Sequence, residues 1–144
     1  MKTFKIMSLL FVLSSVFSAF AGSGKAIVPM WYSHTSQVTA LYISNIAGND
    51  VDVTVTFYKK DGTVATSTIT QNNWINSNLS IAANTTANII ITSTTEEYGY
   101  AVIEWVNRGS DDDTIALVAH GFWGKALSTK ESGYAIPVND GKPF

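Results

Sequence analysis

The clearest pattern in the chain is VDVTVTFY, from Val51 to Tyr58. Val51, Val53, Val55 and Phe57 fall on one side of an extended backbone, and Asp52, Thr54, Thr56 and Tyr58 fall on the other. This period of two predicts an antiparallel strand with one face in a core and the other in water. Upstream, VTALYISNI (Val38 to Ile46) predicts another strand, and AGND between them predicts a tight turn in which Gly48 and Asn49 tolerate positive φ. Downstream, KKDG (Lys59 to Gly62) predicts a hairpin into TVATSTIT, because Asp-Gly is a strong hairpin signal.

The second half continues in the same manner. QNNWINSN (Gln71 to Asn78) reads as a polar loop around Trp74. LSIAANTTANIIITS reads as a short strand, a turn centred on Asn84, and a strand from Ala87 to Thr92. YGYAVIEWV (Tyr98 to Val106) and TIALVAHGFW (Thr114 to Trp123) predict a second hairpin, joined by NRGSDDD. YAIPV (Tyr134 to Val138) predicts a final strand at a sheet edge, where Pro137 is tolerated. Thr, Val, Ile, Asn and Ser dominate the interior, and no segment carries a capped helical period. About eight or nine strands, with turn signals every 8–12 residues or so, predict an all-β fold. The expected architecture is a single-domain antiparallel β-sandwich of jelly-roll or immunoglobulin-like form.

The first residues break this pattern. MKTFKIMSLLFVLSSVFSAFA opens with Lys2 and Lys5, runs apolar from Ile6 to Phe17, and closes on Ala19-Phe20-Ala21. That is the form of a secretory signal peptide, with an apolar core too short to cross a bilayer as a stable helix. The expectation is a signal peptide over 1–21, cleaved after Ala21, and one β-sandwich domain over 22–144, secreted or periplasmic in a bacterium. No second long apolar run follows, which predicts no integral membrane segment after cleavage.

Charge and composition then narrow the function. The whole chain carries a formal net charge of −2, and cleavage removes two of its lysines. A modestly acidic domain without a basic stripe argues against nucleic acid and against capture by anionic membranes. The chain has no cysteine, which excludes disulfides, thiolate zinc sites, iron–sulfur clusters, thiol nucleophiles and lipid attachment at a cysteine. Its stability must come from packing and hydrogen bonds.

The order IVPMWYSHTSQVTALYISNIAGNDVDVTVTFYKKDGT, then LSIAANTTANIII, then YGYAVIEWVNRGSDDDTIALVAHG resembles the sensory rhodopsin transducer-like β-sandwich family. The resemblance runs from Ile27 to Gly121. It implies a small soluble sandwich that forms homo-oligomers. Members of that family are cytosolic partners of a membrane photoreceptor, a surface that an exported chain does not meet. For this chain the resemblance therefore implies self-association and binding rather than photosignalling.

Candidate chemistry is sparse. There are only two histidines, His34 and His120, and no G-x-S-x-G elbow, so a serine–histidine–acid site has little to stand on. Alternation groups His120 with Ala116, Val118 and Phe122, which predicts a half-buried imidazole near a strand end. Glu104, in mid-strand beside Tyr100, Val102 and Val106, reads either as a perturbed acid or as one half of a cross-strand pair. Asp111 to Asp113 suggest a calcium loop, but adjacent side chains of an extended chain point to opposite faces, which leaves Asp111 and Asp113 as the ligands. The competing reading is a solvated loop.

Aromatic residues offer more. Trp105 alternates with Ala101 and Ile103 and reads as core. The bets for binding contacts are Trp31, Tyr32, Asn72, Asn73 and Trp74. Trp74, flanked by amides, suits a sugar if exposed, or caps the sandwich if folded back. IVPMWYSH suits strand addition to another subunit, or completes its own sheet. The expected function is non-enzymatic binding or self-assembly at the bacterial surface or in the periplasm. The partner would be a second copy or another surface protein. The alternative is a carbohydrate-binding module using exposed aromatics. No cofactor is expected beyond calcium.

Overall fold

The computed structural model describes residues 22–125 and 133–144. The expected signal peptide lies outside the described residues. The strands are β1 (Ser23–Ser33), β2 (Gln37–Asn45), β3 (Val51–Lys59), β4 (Thr68–Asn72), β5 (Ser80–Ile81), β6 (Thr86–Thr92), β7 (Glu97–Asn107), β8 (Leu117–Lys125) and β9 (Gly133–Pro137). They form two antiparallel sheets. Sheet A has the order β1-β7-β3-β5, and sheet B the order β4-β6-β2-β8-β9. The expected β-sandwich is the fold observed.

Alternation decides what lies between the sheets. Val51, Val53 and Phe57 of β3 face inward, as do Ala101, Ile103 and Trp105 of β7. Sheet B answers with Leu41 and Ile43, Ile89 and Ile91, and Leu117 and Ala119. Trp31 stands edge-on to Phe57, with ring centroids 5.8 Å apart at 83°. Edge-to-face pairing of this kind adds to the gain from burial. Both buried indoles find an acceptor: Trp31 Nε1 donates to the Tyr58 carbonyl and Trp105 Nε1 to the Phe144 carbonyl, each at 2.8 Å.

Several connections differ from expectation. The turn after β3 forms, with Gly62 at φ 82° and the Asp61 carboxylate accepting from the amide and hydroxyl of Thr63. Pairing then stops after the Tyr58–Val64 bridge, and the chain crosses to sheet B as β4. The segment carries one further large apolar residue, Ile69, and it pairs with Ile91 of β6, so β4 covers that strand's outer edge.

β7 and β8 do not form a hairpin. Each is flanked on both sides within its own sheet, β7 by β1 and β3, β8 by β2 and β9. The stretch containing Asp111 to Asp113 is therefore a crossover, long enough to bridge the roughly 10 Å between packed sheets. AGND is likewise a crossover from β2 to β3, and buried Asn45 organises it. The Asn45 side chain donates to the Asn49 carbonyl at 2.8 Å and the Ile81 carbonyl at 3.1 Å, and accepts from the Ala47 amide at 2.9 Å. β1 completes its own sheet by pairing with β7, and Pro29 sits where the register shifts between Val28 and Trp31. A sheet edge with an irregularity is where proline does least harm.

Candidate functional site

The structure divides the expected contact residues. Trp31 is fully buried, so it is a core residue and offers no surface contact. The irregularity at Pro29 and Met30 shifts the alternation of β1 and turns this indole inward. Tyr32 is half-buried and meets Trp123 edge-on at 5.5 Å, and Trp123 stacks on exposed Tyr134 at 5.2 Å. Trp74 is half-buried, packs against the core, and donates its Nε1 to the Asn88 carbonyl at 2.8 Å. It caps the sandwich rather than standing free for a sugar. Asn73 takes a positive φ of 60° and donates to the Thr86 carbonyl, so it is a turn residue. Asn72 is exposed and donates from its side chain to Asn88 Oδ1 at 2.8 Å.

The acids are engaged individually. Glu104 is exposed and pairs with Lys25 across β1 and β7 at 3.0 Å, as a cross-strand ion pair. Asp113 Oδ2 accepts from Asn49 at 3.1 Å, and its backbone carbonyl accepts from Asn107 at 2.9 Å, which pins the crossover. Among the described residues, no three His, Asp or Glu side chains converge as metal ligands would. Glu97 accepts from the Ser67 hydroxyl and pairs with Lys59 at 3.0 Å. The hydroxyl first, and the ammonium second, hold its carboxyl below the usual value of 4.5. The Thr63 hydroxyl and amide hold Asp61 low in the same way.

His120 departs from expectation. Leu117, Ala119 and Gly121 turn into the core, so His120 faces water on the outside of sheet B. There it stacks on Tyr42 of β2, with centroids 5.2 Å apart at 12°. The register carries this row across all five strands: Asn72, Asn88, Tyr42, His120 and Pro137 lie side by side. One step along the strands lies a less polar row of Thr70, Ile90, Ala40, Phe122 and Ala135. On the other side, Ser44 and Thr86 share a hydroxyl–hydroxyl bond of 2.7 Å.

The outer face of sheet A has a different character. Tyr58 and Tyr100 stack at 4.9 Å and 12°, and Lys60 lies 5.4 Å over the Tyr98 ring. Ile27, Tyr98, Tyr100 and Val106 are all exposed there, between 40 and 58%. Lys25–Glu104 and Arg108–Asp52 ion pairs lie among them. Reasoning from sequence singled out none of Tyr42, Asn88, Tyr58, Tyr98 and Tyr100 as contact residues. The signal at hand was the polar or aromatic phase of each alternating strand, which marks the outer face once the inner one is known. No protein-family model, curated protein or solved structure matches this chain.

Proposed function

We propose that the chain is an exported, non-enzymatic β-sandwich that acts by self-association, with the outer face of sheet A as the contact surface. The observation that carries this reading is the exposed apolar group on β1 and β7: Ile27, Tyr98, Tyr100 and Val106. Monomeric proteins seldom leave contiguous apolar patches of more than a few hundred Å² in water. Tyrosines are also favoured anchors at interfaces, because their rings bury much surface and keep a polar tip. The ion pairs of Lys25 with Glu104 and Arg108 with Asp52 would help to fix the register of two copies. The resemblance to homo-oligomeric sandwiches points the same way.

Light scattering on the secreted chain, over a range of concentrations, tests the proposal. The expected result is a discrete oligomer. Tyr100→Lys should convert it to a folded monomer, since a symmetric contact would bring the new charges together, with a melting temperature lowered by the lost stack on Tyr58 and the lost association. A strict monomer at high concentration overturns the reading, and so does an oligomer indifferent to Tyr100→Lys.

A further inference from the structure

From the outer face of sheet B we infer a second site: a strip across the strands that binds neutral polysaccharide through Asn72, Asn88, Tyr42 and His120. Charge is the first argument. The outward rows of this face hold amides, hydroxyls, a phenol, an imidazole and apolar side chains, but no Lys, Arg, Asp or Glu among the described residues. The face of sheet A, by contrast, carries two ion pairs and Lys60. A strip without ammonium, guanidinium or carboxylate groups, on an otherwise acidic chain, has little to offer a polyanion and little long-range attraction for a charged protein. It suits a ligand that is itself uncharged.

Hydrogen-bonding capacity is the second argument. Sugar hydroxyls both donate and accept. An amide, a phenol and a neutral imidazole can also each do both. Here four such groups stand on four adjacent strands. The Asn72–Asn88 bond consumes one N–H of Asn72 and the carbonyl oxygen of Asn88. It locks the two amides side by side and leaves the Asn88 N–H groups and the Asn72 carbonyl oxygen for a ligand. Tyr42 and His120 stack face to face on neighbouring strands, so one face of each ring is covered by the other and the pair stands edge-on to the solvent. In this strip they act as hydrogen-bonding groups, not as a stacking platform.

Dimensions are the third argument. Five strands at about 4.8 Å make a strip roughly 19 Å long, which several linked sugar rings would span. The row holding Ile90, Ala40 and Phe122 runs parallel to it, about 6.7 Å along the strands. A pyranose chain carries hydroxyls on its rim and C–H groups on its faces. Lying across the strands, it would place its rim on the polar row and a C–H face on the apolar one.

The strip lies on the other face of the sandwich, so the affinity of one strip for a short oligosaccharide does not depend on self-association through sheet A, although several strips in an oligomer raise retention on a long polymer. The test is affinity electrophoresis of the secreted chain in gels containing mixed-linkage β-glucan, xylan, galactomannan or dextran, together with retention on insoluble cellulose and chitin. At least one neutral polymer should retard the protein, with little change on raising the salt. Tyr42→Phe and His120→Phe keep the ring pair, yet each should weaken binding about tenfold with an unchanged melting temperature. Asn88→Ala should do the same, whereas Tyr100→Lys should keep the parent's affinity for a short oligosaccharide of the retarding polymer. The inference is overturned if none of the polymers retards the chain, or if Tyr42→Phe binds like the parent. Retention only on an anionic polymer such as polygalacturonate, abolished by salt, also overturns it. A change of oligomeric state on Tyr42→Phe would make this face a contact between copies, with the same consequence.

Discussion

Asn45→Ala gives the sharpest test of the architecture. Asn45 is almost fully buried, where β2 leaves sheet B for sheet A, and its side chain makes three hydrogen bonds to backbone groups. Two of these, from the Ala47 amide and to the Ile81 carbonyl, are buried, and truncation would leave both groups without a partner. An orphaned buried donor or acceptor costs about 1–3 kcal/mol, so the expected loss is about 3 kcal/mol, with the partly buried Asn49 carbonyl recovering a water. Asn45→Asp should be worse at neutral pH, because it keeps the acceptor but sets a carboxylate against two carbonyl oxygens. That carboxyl would titrate above its unfolded value, so stability is retained below the unfolded pKa and lost as pH rises through the folded one. The gap to the parent should therefore narrow in acid. Urea unfolding followed by the fluorescence of buried Trp31 and Trp105 measures all of this. Asn49→Ala, which removes only a partly buried bond to Asp113, serves as the control at about 1 kcal/mol. A loss under about 1 kcal/mol for Asn45→Ala would refute the assignment of Asn45 as the organiser of the crossover.

Other variants separate structural roles from binding roles. Glu97→Gln should lower stability at pH 7. The depressed carboxyl of Glu97 contributes stability above its usual value of 4.5, and that contribution is lost as pH falls through the folded pKa. Urea midpoints of parent and variant should therefore converge in acid, and parallel curves would refute the role of Ser67 and Lys59. Trp74→Ala should cost about 2 kcal/mol, below the range for a fully buried indole, without weakening polysaccharide retention. Asp113→Ala should cost about 1 kcal/mol by orphaning the Asn49 amide. Calcium, compared with a chelator, should leave the parent's melting temperature unchanged; a rise lost in Asp113→Ala would make Asp111 and Asp113 ligands after all.

The strands were legible because alternation is a local signal. Val51, Val53, Val55 and Phe57 had to face one way in any sheet, and the register agrees. Partnership was not legible, because the same alternation is compatible with either sheet. β7 and β8 are adjacent in sequence, but each already has two neighbours in its own sheet, so only long-range pairing excludes a hairpin between them. The same limit displaced the site. Trp31 and Trp74 stand out in the sequence as large aromatics, yet large aromatics are also what a cysteine-free core needs, and both pack inward. His120 reads as half-buried because Val118 and Phe122 look like core residues, although they lie with it on the outer face of sheet B and are themselves only half-buried. Glu104 resolved as its surroundings required: a mid-strand acid on an outer face takes the cation opposite it, Lys25.

In the proposed scheme, the two outer faces would divide work that one surface could not do well. A self-association surface gains from apolar area framed by ion pairs that set the register, and sheet A supplies Tyr100, Ile27 and the Lys25–Glu104 pair. A surface for a neutral polymer gains from the reverse, since a charge left unpaired beneath a sugar must give up water without compensation. Sheet B supplies amides and hydroxyls instead. Because the two sheets lie back to back, association through sheet A leaves every copy of the sheet B strip facing outward. An oligomer would then present several weak strips to one polymer chain, and each strip after the first would bind at a raised effective concentration. Retention should consequently fall in the Tyr100→Lys monomer by more than the loss of any single contact explains, while binding measured with a short oligosaccharide stays the same. Equal retention of monomer and oligomer on the long polymer would show that the two faces act independently.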